Sequence, residues 1–467
     1  MRFLKKVWDW FDARTDASKV IGPVMKHPVP PRTGWMYVFG SATLFAFLVQ
    51  VFTGIALATG YVSSAGQAYD SLKWITDKAF LGHLLRGMHY FGASAMVLLL
   101  GIHMIRTFLT GSFKFPRELN WVVGVFLLGL TILMGFTGQL LRWDQNGVWS
   151  TIVAAEQAGR VPVIGHWLAR FLMGGQTVGG ATLSRFFAYH VFFIPALIFG
   201  MIGLHLALVL RHGISEKPSA AHPVDPKTYR AWYENMLHRE GVPFWPDAAW
   251  RDAVFGALVV ACIVLLAWFI GPPQLSTPPD PTIIEAYPRP DWYLLWYFAV
   301  LAQLPHGSED YVIVGAPLIA GVCLLVLPLV FNSGQRAPSR RPWAVISIVV
   351  IVSAVGVLWL QGERSPWSPD FTNKPLPPTV VQASSGPVAD GAALFHTRGC
   401  ENCHRIADHG GQRGPDLTYV ADRLDPQQIT LRILNGGYNM PSFASSLNPE
   451  QLDALVKFLG TRRMATQ

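Results

Sequence analysis

The sequence predicts an all-α protein: a membrane bundle of seven transmembrane helices, followed by a small all-α domain outside the lipid. Three observations predict it. Charge-free apolar runs that approach or exceed the roughly 20 residues a helix needs to cross a bilayer occur seven times, near 35–60, 87–105, 119–141, 186–210, 253–271, 311–331 and 342–361. Only 14% of the 467 residues are charged, well below the usual quarter of a soluble domain. Beyond residue 362 the composition turns rich in Pro and Ser, and a C-x-x-C-H motif follows.

A net charge of +8 could point to nucleic acid. The basic residues instead sit in short loops between apolar runs, which is the positive-inside pattern and not a phosphate-binding face, so no nucleic-acid partner is expected. Loops on the N-terminal side hold Lys5, Lys6 and Arg14, then Arg106, Lys114 and Arg117, then Arg211, Arg230 and Arg251, then Arg336, Arg340 and Arg341. The opposite loops are poorer, with Lys73 and Lys78, then Arg142, Arg160 and Arg170, then Arg289. The N-terminus is therefore expected in the cytoplasm, and seven crossings put everything after residue 362 outside. MRFLKKVWDWFDART has no apolar core of the signal-peptide kind and reads as an amphipathic helix on the membrane surface. The expected organisation is a surface helix within 1–33, a four-helix core over 34–215, a three-helix part over 216–362, a linker over 363–388 and a soluble domain over 389–467. WYLLWYFAVLAQL, 292–304, is too short to span and reads as an interfacial or re-entrant helix.

The second apolar run holds His89 and His103. Fourteen residues advance a helix about 21 Å and return it to within about 40° of the same face. The fourth run repeats the arrangement with His190 and His205, fifteen residues and about 60° apart. Both helices run inward, so His89 meets His190 near the outer side and His103 meets His205 near the inner side. Polar side chains in lipid are expensive and mark function. Two imidazole pairs at two depths suit two bis-histidine haems, each ring parking its second N–H on a carbonyl or hydroxyl. The bland alternative is four histidines bridging helices. Arg86 and Arg185, just outward of the outer pair, suit haem propionates or plain snorkelling. Gly40 and Gly54, and Gly124 and Gly138, are also fourteen apart and would leave room for flat rings, although glycine is common in membrane helices.

RGCENCHRIAD carries Cys400, Cys403 and His404, the attachment signature of covalent c-type haem. Met440, in GGYNMPSF, is the expected sixth ligand; Met464 lies near the chain end. Thioether ligation raises the potential, as suits a late acceptor. Asn448-Pro449-Glu450-Gln451 predicts a capped helix start. Cys262 and Cys323 lie inside spans and read as small apolar packers.

These residues together resemble a known family. The first 210 residues resemble cytochrome b of the quinol-oxidising cytochrome bc complexes, in its split chloroplast-type form, through VPPRTGWMYVFGSATLFAFLVQVFTG, the histidine helices, RELNWVVGVFLLGLTILMGFTGQLLRWDQ, SRFFAYH and RHGIS. Residues 240–361 resemble the small fourth subunit of that form, through PPDP, PRPDWY and APSRRP. The tail is similar to a class I cytochrome c, with a Gly414-Pro415-Asp416-Leu417 turn supporting the haem histidine. The resemblance implies two haem b groups, on His89 with His190 and on His103 with His205, and one haem c. It implies quinol oxidation near the outer face. One electron would go to a Rieske iron–sulfur protein and on through haem c to a downstream cytochrome or other acceptor. The other would cross to quinone at the inner face. The setting would be the cytoplasmic membrane of a bacterium, in a multi-subunit complex built as a homodimer. No Rieske motif occurs here, so that partner is expected on another chain.

PRPDWY carries the quinol chemistry in this resemblance, with Asp291 as the proton acceptor among Pro290, Trp292 and Tyr293. The family usually has Glu at that position; Asp is one methylene shorter. From local context alone Asp291 reads as the N-cap of the following helix. Where the split form attaches an extra haem through a cysteine, this chain has Val38, so that link is not expected. Arg211, His212 and Asp252 lie at the depth of the inner quinone. Two other functions fit the histidines: a dihaem anchor for a dehydrogenase, or a passive electron relay without a quinol site.

Overall fold

The computed structural model describes residues 2–175, 177–280, 288–304, 308–364, 374–411, 414–436, 440, 442–444 and 446–464. Among the described residues, seven helices are long and apolar enough to cross a membrane: Phe39–Gly60, Gly82–Leu109, Glu118–Leu140, Gly180–His212, Phe244–Phe269, Glu309–Val330 and Pro342–Arg364. They follow the seven apolar runs in order. The second is the instructive difference. Its 28 residues give about 42 Å of helix, several residues beyond the apolar run at each end, because Arg86 and Arg106 lie inside the helix while a charge-free criterion stops at them.

Small residues decide how closely the spans approach. Ala42 and Ala46 of the first span, Met96 and Leu99 of the second, and Ile194 and Ile198 of the fourth form one buried cluster. A Cβ on Gly87 would lie 3.0 Å from Ala267, and one on Gly256 would lie 2.3 Å from the Phe45 ring, so the fifth span packs against the second and first. The sixth packs on the third, and the seventh on the second. Leu318, Ile319, Val349 and Val350 stay exposed, as apolar helix faces do in lipid. Cys262 and Cys323 are exposed as well, which corrects their reading as interior packers.

The fourth span is not a regular helix. Tyr189–Phe193 forms a π turn around His190, between α-helical Gly180–Ala188 and Ile194–His212. A π turn absorbs one extra residue. The fifteen-residue step to His205 therefore rotates like a fourteen-residue one, about 40° from a common face, matching the step between His89 and His103.

At the face where the second, fourth and sixth spans end, basic side chains cap the carbonyl ends of all three. Arg341 donates to Phe108 and Leu109 at the end of the second (2.8 and 3.1 Å). Arg117 donates to His212 and Gly213 at the end of the fourth (3.2 and 2.8 Å). Lys114 donates to Phe331 at the end of the sixth (2.8 Å) and to Ser333. Unsatisfied carbonyls and the negative end of the helix dipole favour cations there. Burial and the neighbouring Arg341 and Arg336 pull the Lys114 ammonium down to about 8. Arg336 pairs with Glu216, which also accepts from the Tyr229 hydroxyl at 2.6 Å. This network ties loops of the first four spans to the turn between the last two.

Trp292–Ala302 is a short apolar helix packed against the seventh span, where a Cβ on Gly362 would stand 2.9 Å from the Leu295 carbonyl. The C-terminal domain is helical, with a core of Phe395, Ile406, Val420, Ile429, Leu455 and Phe458. Its helices Pro387–Thr397 and Pro449–Gly460 cross at Gly391, where a Cβ would sit 2.1 Å from the Ala454 carbonyl. Asn448 and Gln451 cap the last helix reciprocally at 2.8 and 3.2 Å, as the sequence predicts. Leu376 and Val381, within the stretch read as linker, are buried in this core; residues 365–373 of that stretch lie outside the described residues.

Candidate haem and quinol sites

The imidazoles of His89 and His190 face each other across 6.2 Å between ring centroids, their planes at 73°. Two metal–nitrogen bonds of about 2 Å and two ring radii of about 1 Å sum to roughly this distance, so one iron fits between them. Threonines fix the rings. The Thr53 hydroxyl donates its only proton to the Val49 carbonyl at 2.7 Å, so it meets His89 Nδ1 at 2.9 Å as an acceptor. Thr137 likewise donates to Leu133 at 3.0 Å and accepts from His190 Nδ1 at 3.2 Å. Both rings thus carry their proton on Nδ1 and leave the Nε2 lone pair for a metal.

The four glycines meet the four histidines one to one. A Cβ on Gly54 would lie 3.3 Å from His89 Cε1, and one on Gly138 would lie 2.6 Å from His190 Cε1. On the inner side Gly40 stands against His103 at 3.1 Å and Gly124 against His205 at 3.9 Å. Each first-span or third-span glycine makes the cradle in which a ring sits. His205 Nδ1 is buried without a partner among the described residues.

Sequence reasoning missed three residues here. Thr53 and Thr137 sit in a repeated Phe-Thr-Gly tripeptide, 52–54 and 136–138, and that repeat was the available signal. Arg106, one turn inward of His103, is 8% exposed. Its Nη1 donates to Ser112 at 3.2 Å, its guanidinium lies 3.9 Å from the Tyr37 ring centroid, and its Nε and Nη2 are buried and unpartnered among the described residues. Such orphaned donors call for an anion. At the other end of the second span Arg86 is buried and donates to Thr76 and the Pro273 carbonyl (3.2 and 2.8 Å). Arg185 is exposed and reaches the Phe171 carbonyl at 3.3 Å.

Asp291 precedes the turn Trp292–Leu294, yet its side chain makes no capping bond. The capping expectation fails: the carboxylate Oδ2 accepts from the Tyr293 hydroxyl at 3.0 Å instead. Burial raises the Asp291 carboxyl from its ordinary value, against the opposing pull of Tyr293 and Arg142. Trp292 Nε1 donates to Ser94 Oγ of the second span at 3.2 Å, which ties the Pro290–Tyr293 segment to the bundle. The loop before it is held too. Asp144, fully buried, caps Gln145–Gly159 through Gly147 N at 2.9 Å, accepts from Ser276 N at 3.0 Å and pairs with Arg142 at 2.5 Å. Gln145 exchanges two bonds with the Asp280 backbone, at 2.9 and 2.7 Å. The residues expected at the inner quinone are dispersed in role. Asp252 accepts from Ser41 at 2.7 Å, His212 Nδ1 is buried and unpartnered among the described residues, and Arg211 is exposed.

In the C-terminal domain Cys400, His404 and Met440 line one cavity with Phe395, Leu417, Ile429, Phe443 and other apolar side chains, and with Arg398 and Arg432. His404 Nδ1 donates to the Pro415 carbonyl at 2.9 Å. A Cβ on Gly414 would lie 2.5 Å from the His404 ring. The Gly414-Pro415 turn therefore orients the imidazole as expected, and Arg405 holds the turn through Asp416 at 2.9 Å.

Comparison with known proteins places most of these residues within cytochrome b and cytochrome c domains. The family described as Cytochrome b(N-terminal)/b6/petB matches residues 94–278, and that described as Cytochrome b(C-terminal)/b6/petD matches 278–374. Residues 386–459 match Cytochrome C oxidase, cbb3-type, subunit III. Cytochrome b6 of Synechococcus elongatus is 39% identical over 212 residues, 45% of this chain and 99% of that protein. The menaquinol:cytochrome c reductase cytochrome b subunit of Bacillus subtilis is 37% identical over 220 residues, 45% of this chain and 98% of that protein. A solved structure titled Hyperthermophilic respiratory Complex III covers 77% of this chain and 91% of its own, with a TM-score of 0.67 and 27% identity. Cytochrome b and cytochrome c domains imply haem b and haem c. The chain belongs to the cytochrome b/b6 family, a multi-pass membrane protein with the N-terminal and C-terminal cytochrome b portions joined in one polypeptide and a cytochrome c domain fused behind them.

Proposed function

We propose that this chain is the catalytic b/c subunit of a proton-translocating quinol:cytochrome c oxidoreductase, or of one with a similar acceptor. It would work in a bacterial cytoplasmic membrane with its N-terminus inside and its c domain outside. The observation that carries the reading is the outer imidazole pair, 6.2 Å apart, each ring held at Nδ1 by a threonine and neither Nε2 hydrogen-bonded among the described residues. Hydrogen-bonding histidines that merely bridge helices would spend those nitrogens on each other.

His89 and His190 would hold the outer haem b, His103 and His205 the inner one, and Cys400, Cys403, His404 and Met440 the haem c. Gly40, Gly54, Gly124 and Gly138 make room for the rings. Arg86 and Arg185 would serve the outer propionates, and Arg106 with Ser112 the inner ones, where its unpartnered donors need an anion. When bound, the haems supply one-electron transfer: one electron of each quinol crosses the bilayer to an inner quinone, and the other reaches the c haem by way of a separate Rieske iron–sulfur protein. Asp291 takes the quinol hydroxyl proton from a buried position at the outer interface and releases it outward. Burial raises its proton affinity, which makes the carboxylate a stronger base. Pro290, Trp292 and Tyr293 shape that site. Arg211, His212 and Asp252 would serve proton uptake at the inner quinone. A homodimer within a larger complex is part of the same reading.

Replacing Asp291 by Asn tests it. Quinol oxidation should fall by about two orders of magnitude or more, the scale of a lost general base, with the b and c haems all present. Unchanged turnover would leave a passive relay; absence of b-type absorbance in the parent protein would remove the electron route altogether.

A further inference from the structure

Tyr293 reaches back only two residues to give its hydroxyl proton to Asp291 Oδ2. A ring so placed needs its far end seated, and the third span provides the seat. A Cβ on Gly135 would lie 2.2 Å from the Tyr293 hydroxyl oxygen and 3.3 Å from Cζ; among the described residues no other heavy atom beyond its chain neighbours and its own helix backbone comes within 4 Å. Position 135 is thus bare for one neighbour. The backbone of Tyr293 is pinned as well, since its carbonyl accepts from Trp296 Nε1 at 2.9 Å.

We infer that Gly135 and Tyr293 form a positioning device for Asp291: the glycine admits the tyrosine hydroxyl against the third span, and the hydroxyl holds Oδ2 so that Oδ1 is presented to the quinol. The inference rests on Asp291 being the quinol base. Oδ1 has no partner among the described residues, so one oxygen is anchored and the other is available. A hydrogen bond given to a carboxylate stabilises its charged form, which keeps Asp291 ready to accept although burial works the other way. Tyr293 can play this part because burial and Asp291 both hold its phenol protonated. Among the described residues, the other charged or titratable groups bearing on Asp291 are Arg142, which favours the carboxylate, and Tyr90 on the second span. Arg289 turns away, toward Glu363 at 3.8 Å. The device answers the shorter reach of Asp: a side chain with one fewer methylene has less freedom to find its own position, and the tyrosine brings a fixed donor to it.

The test uses the whole complex with all haems and a short-chain quinol as substrate. Tyr293→Phe, Gly135→Ala and the double variant are assayed for quinol oxidation against pH, beside Asp291→Asn. Removing the hydroxyl raises the proton affinity of Asp291, so the acid limb of the rate profile should move up by about half to one pH unit, the equivalent of one hydrogen bond. Gly135→Ala should give the same shift by displacing the hydroxyl. The double variant should match Tyr293→Phe alone, because the clash is with an oxygen that is no longer there. A merely structural pair would change haem content or stability without moving the profile. A wild-type profile in Tyr293→Phe overturns the inference, as do additive losses in the double variant. Should Gly135→Ala fail to assemble, assembly restored by adding Tyr293→Phe supports the seat and continued failure overturns it. Full activity in Asp291→Asn would instead overturn the reading of the site on which the device rests.

Discussion

Gly138 and His190 stand so close that a methyl group on the glycine would lie 2.6 Å from the imidazole Cε1, whereas the matching inner pair, Gly124 and His205, would leave 3.9 Å. A contact under 3 Å forces the ring to move; one near 4 Å is ordinary van der Waals distance. Gly138→Ala is therefore expected to displace the outer haem b, and Gly124→Ala to keep the inner one. A pyridine haemochrome assay should read two b haems for each c in the parent and in Gly124→Ala, and close to one in Gly138→Ala. Equal ratios in both variants would contradict the cradle.

Thr137 sets the tautomer of His190, and its loss has a predictable sign. In Thr137→Val the Nδ1 proton loses its acceptor and the imidazole becomes a weaker donor. A weaker donor favours the reduced metal, so the midpoint potential of the outer haem b should rise while that of the inner one stays put. Redox titration at two b-type absorbances reads this directly. A parallel shift of both haems would point to a general change of the bundle.

Met440→Ala in the c domain separates attachment from ligation. Cys400 and Cys403 should still hold the haem covalently, so it should survive denaturing electrophoresis. The potential should fall by roughly 0.1–0.3 V, well inside the span of about 0.8 V that axial ligands command. A c haem with unaltered potential would assign the sixth position to another residue.

Glu216→Gln leaves Arg336, 2% exposed, without its counter-charge. Breaking a buried pair from one side is expected to destabilise by about 3–5 kcal/mol. Glu216→Leu combined with Arg336→Met removes both charges and should recover much of that loss. Thermal release of haem b from detergent-purified protein measures both. A double variant less stable than the single one would show that the ion pair itself, and not the relief of an isolated charge, holds the inner face.

The sequence carried the seven spans, the meeting of His89 with His190 and the C-x-x-C-H motif because each is a rule-breaking signal: long runs without charge, imidazole where lipid excludes it, two thiols beside a histidine. What it hid has physical reasons too. Thr53 and Thr137 are unremarkable in any membrane helix, and only their recurrence before Gly54 and Gly138 marked them. Arg106 was counted as one more inward charge, since orphaned donors exist only once a helix bundle closes around them. Asp291 looked like a helix cap because its partner, Tyr293, sits inside the helix it would cap. Gly135 differs from other membrane glycines only in what stands opposite it.

The widened turn at Tyr189–Phe193 has an evolutionary corollary. A codon gained between two metal-binding positions on a straight rod would swing one of them a hundred degrees out of line and abolish both. Here the surplus is swallowed beside the first ligand, and the second is none the worse. Lineages sharing this architecture are free to differ by one residue in that interval, provided the surplus stays local, and removing one residue from the bulge itself should be among the few deletions that a membrane helix of this kind survives.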